Sequence, residues 1–97
     1  MDITRYQFYH ELIKHPYVET IWLFGSRARQ DNQERADIDL AVLCPKASFE
    51  EWCQLENIID NADTLLKIDL VRLDSLLDSS DLKIAILKEG IKLYEKS

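Results

Sequence analysis

The chain has 97 residues, is 46% hydrophobic and carries a net charge of −6, with a pI of about 4.8. That length and apolar content suit one small domain, residues 1–97, built on a single core. The acidic balance disfavours a long nucleic-acid partner, because like charges repel; a small nucleotide accompanied by a metal ion stays compatible, since the ion brings its own positive charge.

No apolar run approaches the roughly 20 residues of a membrane helix. The opening Met-Asp-Ile-Thr-Arg-Tyr lacks the basic start and apolar core of a signal peptide. A cytoplasmic protein with no membrane partner is expected. Cys44 and Cys53 are the only cysteines; without a CxxC motif or a Cys/His cluster they read as reduced thiols rather than zinc ligands.

Asp2 is placed to cap a first helix of about a dozen residues, with Ile3, Phe8, Leu12 and Ile13 on one face, ended at His15-Pro16. Residues 18–24 are rich in β-branched and aromatic side chains and predict a first strand. Residues 26–30 predict one or two helical turns. Residues 37–43 predict a second strand, stopped by Cys44-Pro45. Ser48 and Glu51 form a capping-box pattern that opens a helix of about fifteen residues, with Trp52, Leu55, Ile58 and Ile59 on its buried side. Residues 67–73 predict a third strand. Ser79 or Ser80 opens a last helix through Ile84, Ile86 and Leu87, ended by Gly90 in a left-handed cap, and residues 91–94 predict a short edge strand. The order predicts an α/β (α+β) chain: a small mixed sheet of three to four strands flanked by about four helices.

The chemistry concentrates at one rim of that sheet. Alternation puts Asp37 and Asp39 on one face of the second strand while Ile38, Leu40 and Val42 pack on the other. Two like charges that close destabilise each other unless a cation neutralises them. The short link between the first two strands favours an antiparallel pair, which sets Gly25-Ser26 beside the start of the second strand. The long link through the Ser48 helix suits a parallel crossover, which brings Asp69 to the same rim. Oxygen donors without His or Cys indicate Mg²⁺ or Mn²⁺. Gly25 lets a phosphate approach the backbone, the helix after Ser26 directs free N–H groups outward, and Arg27 and Arg29 add positive charge. Each feature alone has a plain alternative: an ordinary turn for Gly-Ser, a strand-boundary residue for Asp37, a surface charge for Asp39. Together they point to a metal-assisted nucleotide site. Asp63 and Asp74 read as turn and cap residues, and Asp78 and Asp81 as partners of a helix dipole.

The run Phe24-Gly25-Ser26-Arg27-Ala28-Arg29, ten residues between Gly-Ser and the acids, then Asp37-Ile38-Asp39-Leu40-Ala41-Val42 and the later Ile68-Asp69-Leu70-Val71, resembles the minimal nucleotidyltransferases of the DNA polymerase β-like nucleotidyltransferase superfamily. The terminal Gly90 to Tyr94 segment is similar to theirs as well. Gln30 stands where the family usually has Gly, and Ala36 where Ser commonly precedes the first Asp. The resemblance implies a polymerase β-like fold and a transfer of AMP from ATP to a hydroxyl. It also implies roles: Gly25 and Ser26 on the triphosphate, Asp37 and Asp39 on the divalent metals, and Asp69 completing the metal site and helping to activate the acceptor. The implied partner is a small helical protein of the HEPN or nucleotidyltransferase-substrate-binding kind, with a tyrosine of a HEPN toxin as acceptor and this chain as antitoxin. The chain is too short for an acceptor domain of its own, so a partner subunit is expected to supply the acceptor, docking on apolar residues of the first helix or the final segment. A small-molecule adenylyltransferase and a non-catalytic antitoxin are the alternatives.

Overall fold

A computed structural model describes residues 2–25 and 37–97. Four strands form one mixed sheet: β1 (Thr20–Phe24), β2 (Ile38–Leu43), β3 (Ile68–Arg72) and β4 (Ile91–Glu95), in the order β3-β2-β1-β4. β1 runs antiparallel to β2 and to β4, and β2 runs parallel to β3. The described helices are α1 (Gln7–Ile13), α2 (Phe49–Asp60) and α3 (Asp81–Glu89), with single 3-10 turns at Ile3–Arg5 and Leu73–Ser75. The expected turns over 26–30 lie outside the described residues, as do Gln30 and Ala36.

Strand alternation divides the interior between two faces. On one face Ile21, Leu23, Ile38, Leu40 and Val42 pack with Phe8, Tyr9 and Leu12 of α1 and Leu55 of α2. On the other, Ala41 packs with Ile86 of α3 and Leu73, bordered by Trp22, Phe24, Leu43 and Val71. The second layer is thin. Ile86 is the only buried residue of α3, while Leu82, Ile84 and Leu87 are exposed. Ile91, just beyond the helix, is exposed too. The first helix is therefore not an apolar surface awaiting a partner, because its large side chains are already inside; in the final segment Ile91 is the exposed apolar residue, and α3, which is not among the expected docking elements, exposes Leu82, Ile84 and Leu87.

Three local expectations change. The first helix is broken: Asp2 caps only the 3-10 turn, and Tyr6 is extended (ψ 146°) before α1 begins. α1 is instead capped from a distance. The Gln7 and Phe8 N–H groups donate to the two carboxylate oxygens of Asp63, at 3.0 and 3.1 Å. The Ser48 capping box forms as expected, but α2 stops after 12 residues at Asn61, whose side-chain amide donates to the Asn57 carbonyl. Gly90 is not left-handed; it is extended, with φ −71° and ψ 160°. Glycine is needed there for space, because a Cβ would run into the Ile86 carbonyl and press on the Leu23 carbonyl at 3.2 Å. That close approach lets α3 pass directly into β4 beside β1.

Asp74, expected as a turn residue, is a largely buried partner of Arg72. Its carboxylate accepts from Arg72 Nε at 2.9 Å and from the Cys44 N–H at 2.8 Å. The Arg72 guanidinium also donates to the carbonyls of Cys44 and Ala47 and lies 5.8 Å from the Trp52 ring centre. This network ties the end of β3 to the β2–α2 connection. Inside it the Cys44 thiol is pushed up to about 11 by burial and then by Asp74, so it stays protonated. Both cysteines are free.

The Asp63 cap generates a stability test. The Gln7 N–H, with help from Phe8, holds the Asp63 carboxyl below the usual carboxylate range. A lowered folded value stabilises the fold above the unfolded pKa of about 3.9, and that contribution is lost as pH falls through the folded value. Asp63→Ala is expected to lower the melting temperature at pH 7 by about 4–8 °C. The gap should close on acidification below pH 4, as followed by circular dichroism.

Candidate active site

The site begins with the strand register. Phe24 of β1 pairs with Asp39 of β2, and Asp39 pairs with Asp69 of β3, so the three residues form one row across the sheet. Their side chains point to the α3 face, the same side as Ala41 and Val71. One step along, the row Ile91, Leu23, Leu40 and Leu70 begins the apolar framework beneath. The parallel β2–β3 pairing, closed at its far end by Arg72, brings Asp69 opposite Asp39.

The two carboxyl groups lie on directly paired residues of neighbouring parallel strands, so each stands in the field of the other. Asp39 is half-buried, and its carboxyl is raised above the usual value by burial first, then by the charges of Asp69 and Asp37. Asp37 lies immediately before β2 and is exposed. It acts on Asp39 through charge, and among the described residues no three acidic, His or Cys side chains stand close enough together to hold a metal ion. The structure thus joins two of the three expected acids and leaves Asp37 at the edge. This donor set suits a hard divalent cation. It offers only oxygen ligands, and the closely placed like charges call for a positive partner.

Gly25 closes the row. It follows β1 in a turn with φ +75°, and a Cβ there would collide with a carboxylate oxygen of Asp39. Glycine is required twice: for the left-handed backbone and for the close approach of the acid. Ser26, Arg27 and Arg29 lie outside the described residues. Asp69 also lines a cleft of about 140 Å³ with Glu56, Ile59, Asp60, Ile68 and Leu70, so open space reaches it from the β3 edge. A larger hollow of about 540 Å³ at the opposite end of the sheet, beside Tyr17, Thr20, Lys46 and Lys96, carries neither the glycine turn nor the paired aspartates.

Sequence reasoning passed over Lys67. Its Nζ lies 3.7 Å from Asp69 Oδ1, and its carbonyl accepts the Ile38 N–H at 2.9 Å, between Asp37 and Asp39. The Lys67-Ile68-Asp69 spacing was the available signal, since residues i and i+2 of a strand share a face. The glycine contact supplies a test. Gly25→Ala is expected to cost about 1–2 kcal/mol from the left-handed backbone and to displace the Asp39 carboxylate. Chemical denaturation reads the first effect and the Asp39 side-chain NMR resonance the second.

The polymerase β family model, described as "Polymerase beta, Nucleotidyltransferase", matches residues 7–97. No curated protein sequence is a significant match. A crystal structure of a toxin–antitoxin with AMP-PNP superposes with a TM-score of 0.68 at 24% identity, over 93% of this chain and 73% of that one; at this identity the likeness concerns the fold. A mutant of the toxin–antitoxin pair MntA–HpeT is 26% identical, with a TM-score of 0.62 over 92% of this chain and 73% of that one. The complex of tri-AMPylated Shewanella oneidensis HEPN toxin with MNT antitoxin is 25% identical, with a TM-score of 0.59 over 92% and 71%. The four-stranded mixed sheet, its helices and the family match over nearly the whole length agree: this chain belongs to the polymerase β nucleotidyltransferase family.

Proposed function

We propose that the chain transfers AMP from ATP to a hydroxyl, a tyrosine of a helical HEPN-type partner, and so acts as the antitoxin of such a pair. The observation that carries this reading is the row in which Gly25 abuts Asp39 and Asp39 lies against Asp69. Two adjacent acids facing one another cost stability and gain nothing for packing, which weighs against a protein that only binds. The AMP-PNP found with one structural neighbour and the AMPylated HEPN toxin found with another support the nucleotide and the class of acceptor.

In this reading Gly25 and Ser26 hold the triphosphate through backbone N–H groups and the serine hydroxyl, with Arg27 and Arg29 offsetting its charge. Asp37, Asp39 and Asp69 hold Mg²⁺ or Mn²⁺, which supply positive charge to the phosphates and the reacting oxygens when bound. Asp69, reached from the open β3 edge, orients the acceptor hydroxyl. The acceptor oxygen bonds to the α-phosphorus, the bond from that phosphorus to the bridging oxygen breaks, and pyrophosphate leaves. The hydroxyl proton passes to Asp69 or to solvent.

The partner surface in this reading is the exposed apolar side of α3, with Leu87 at 49% exposure. Through Ile86, α3 covers the sheet face to which Asp39 and Asp69 point. A partner seated on α3 presents its acceptor on the side of the acids.

Two outcomes test this reading, using the adjacent reading frame's product as acceptor, with Mg²⁺ and ATP labelled at the α-phosphate. Asp39→Asn is expected to lower AMP transfer by about 10²-fold or more while its melting temperature without metal stays equal or rises, because the neutral amide removes like-charge repulsion. Retained transfer contradicts the assignment. Leu87→Asp is expected to weaken association with that partner by roughly tenfold without altering the circular dichroism spectrum; unchanged affinity, read by titration calorimetry, removes α3 from the interface.

A further inference from the structure

The acid pair has a cation of its own beside it. Lys67 Nζ lies 3.7 Å from Asp69 Oδ1, an ion-pair contact without a short hydrogen bond. Its backbone is fixed, because the Lys67 carbonyl accepts the Ile38 N–H in the parallel ladder. Its side chain is not enclosed, being 71% exposed. A flexible, strongly hydrated ammonium on an anchored backbone can hold its place next to Asp69 or swing into solvent at small cost. Its charge also acts on Asp39, opposing the effects of burial and of Asp69.

We infer that Lys67 is a resident counter-ion of the Asp39–Asp69 pair, which a divalent cation must displace to load. This rests on the proposed metal-binding role of the pair. An ammonium and a divalent ion on the same carboxylates repel each other, so Lys67 lowers the affinity of the empty site for metal and is released from Asp69 as metal binds. Lys67 thereby sets the metal concentration at which the site fills, and it keeps the paired acids compatible with the fold before loading. It is a positioning residue for the acids, not a group that touches the reacting atoms.

The test is Mn²⁺ binding to the full chain without nucleotide, read by the electron paramagnetic resonance of free Mn²⁺ and by calorimetry. Lys67→Gln is expected to bind Mn²⁺ about two- to fivefold more tightly than the unmodified chain, the range set by exposed ion pairs. Lys67→Arg keeps the charge in a form that grips carboxylates more firmly and is expected to bind no more tightly than the unmodified chain. Lys96, whose ammonium donates to the Pro16 carbonyl, supplies the control: Lys96→Gln removes the same charge away from the acids and should leave the affinity unchanged. Equal or weaker binding by Lys67→Gln, or the same gain from Lys96→Gln, overturns the inference while leaving the metal site standing. Absence of Mn²⁺ uptake by the unmodified chain and by Lys67→Gln overturns both.

Discussion

Two carboxyl groups on neighbouring parallel strands face each other, and the rest of the structure is arranged to keep them there. Asp39 and Asp69 share a register row across the parallel pair. Left to themselves, such groups separate, because neither gains from losing water beside a like charge. They stay together because the strands carrying them are held by stronger means. Ile38, Leu40 and Val42 bury the opposite face of β2 completely. Arg72, bonded to Asp74 and to two carbonyls across the β2–α2 link, closes the far end of the β2–β3 pair. A one-residue slip of β3 would turn Asp69 to the buried face and Leu70 to the site, so apolar packing and the guanidinium network together fix the position of the acids.

The two faces of the sheet have different tasks. One is covered by α1 and α2 over a continuous apolar cluster and supplies most of the burial. The other carries the aspartates and is covered by α3 through little more than Ile86, Leu73 and Ala41. Asp63 makes the first face a single unit: it caps α1 from a position just beyond α2, joining two helices that are separated by two strands in the chain. An element held by few buried contacts opens more readily than one sunk in the main core, and α3 is that element. Its apolar residues do little for the fold as it stands, which is why they serve the partner reading better than α1 does.

Charge follows the same division. The chain is acidic overall, yet a nucleotide site must receive a polyanion. The described cations nearby are few and local: Lys67 beside Asp69, and Lys92, which lies 5.3 Å from the Trp22 ring centre. In the proposed reading a divalent ion gathered by the acids resolves the conflict, since such an ion would reverse the sign of the field at that rim while the rest of the surface keeps its negative charge.

Much of this was legible without coordinates, and for one reason: it depends on short-range periodicity. Alternation in residues 37–43 separates Ile38, Leu40 and Val42 from Asp39, the Ser48–Glu51 spacing marks the start of α2, and the link lengths imply one antiparallel and one parallel pairing. All three are properties of neighbouring residues, and they carried the acids and the glycine turn to one rim. What stayed hidden depends on residues distant in the chain. The cap on α1 comes from Asp63, so the local Asp2 signal pointed to too long a helix. Asp74 looks like a turn residue until Arg72 and Cys44 meet it. Gly90 is a glycine because Ile86 and Leu23 leave no room for a Cβ, where chain position alone suggested a left-handed cap. Asp37 is one residue from the strand and remains exposed, because only the tertiary pairing decides where a ladder begins. The amino-acid order determined which faces are apolar and which groups are available for chemistry; the packing of the sheet decided which of those groups touch, since contact between remote residues is set by register and space rather than by spacing along the chain.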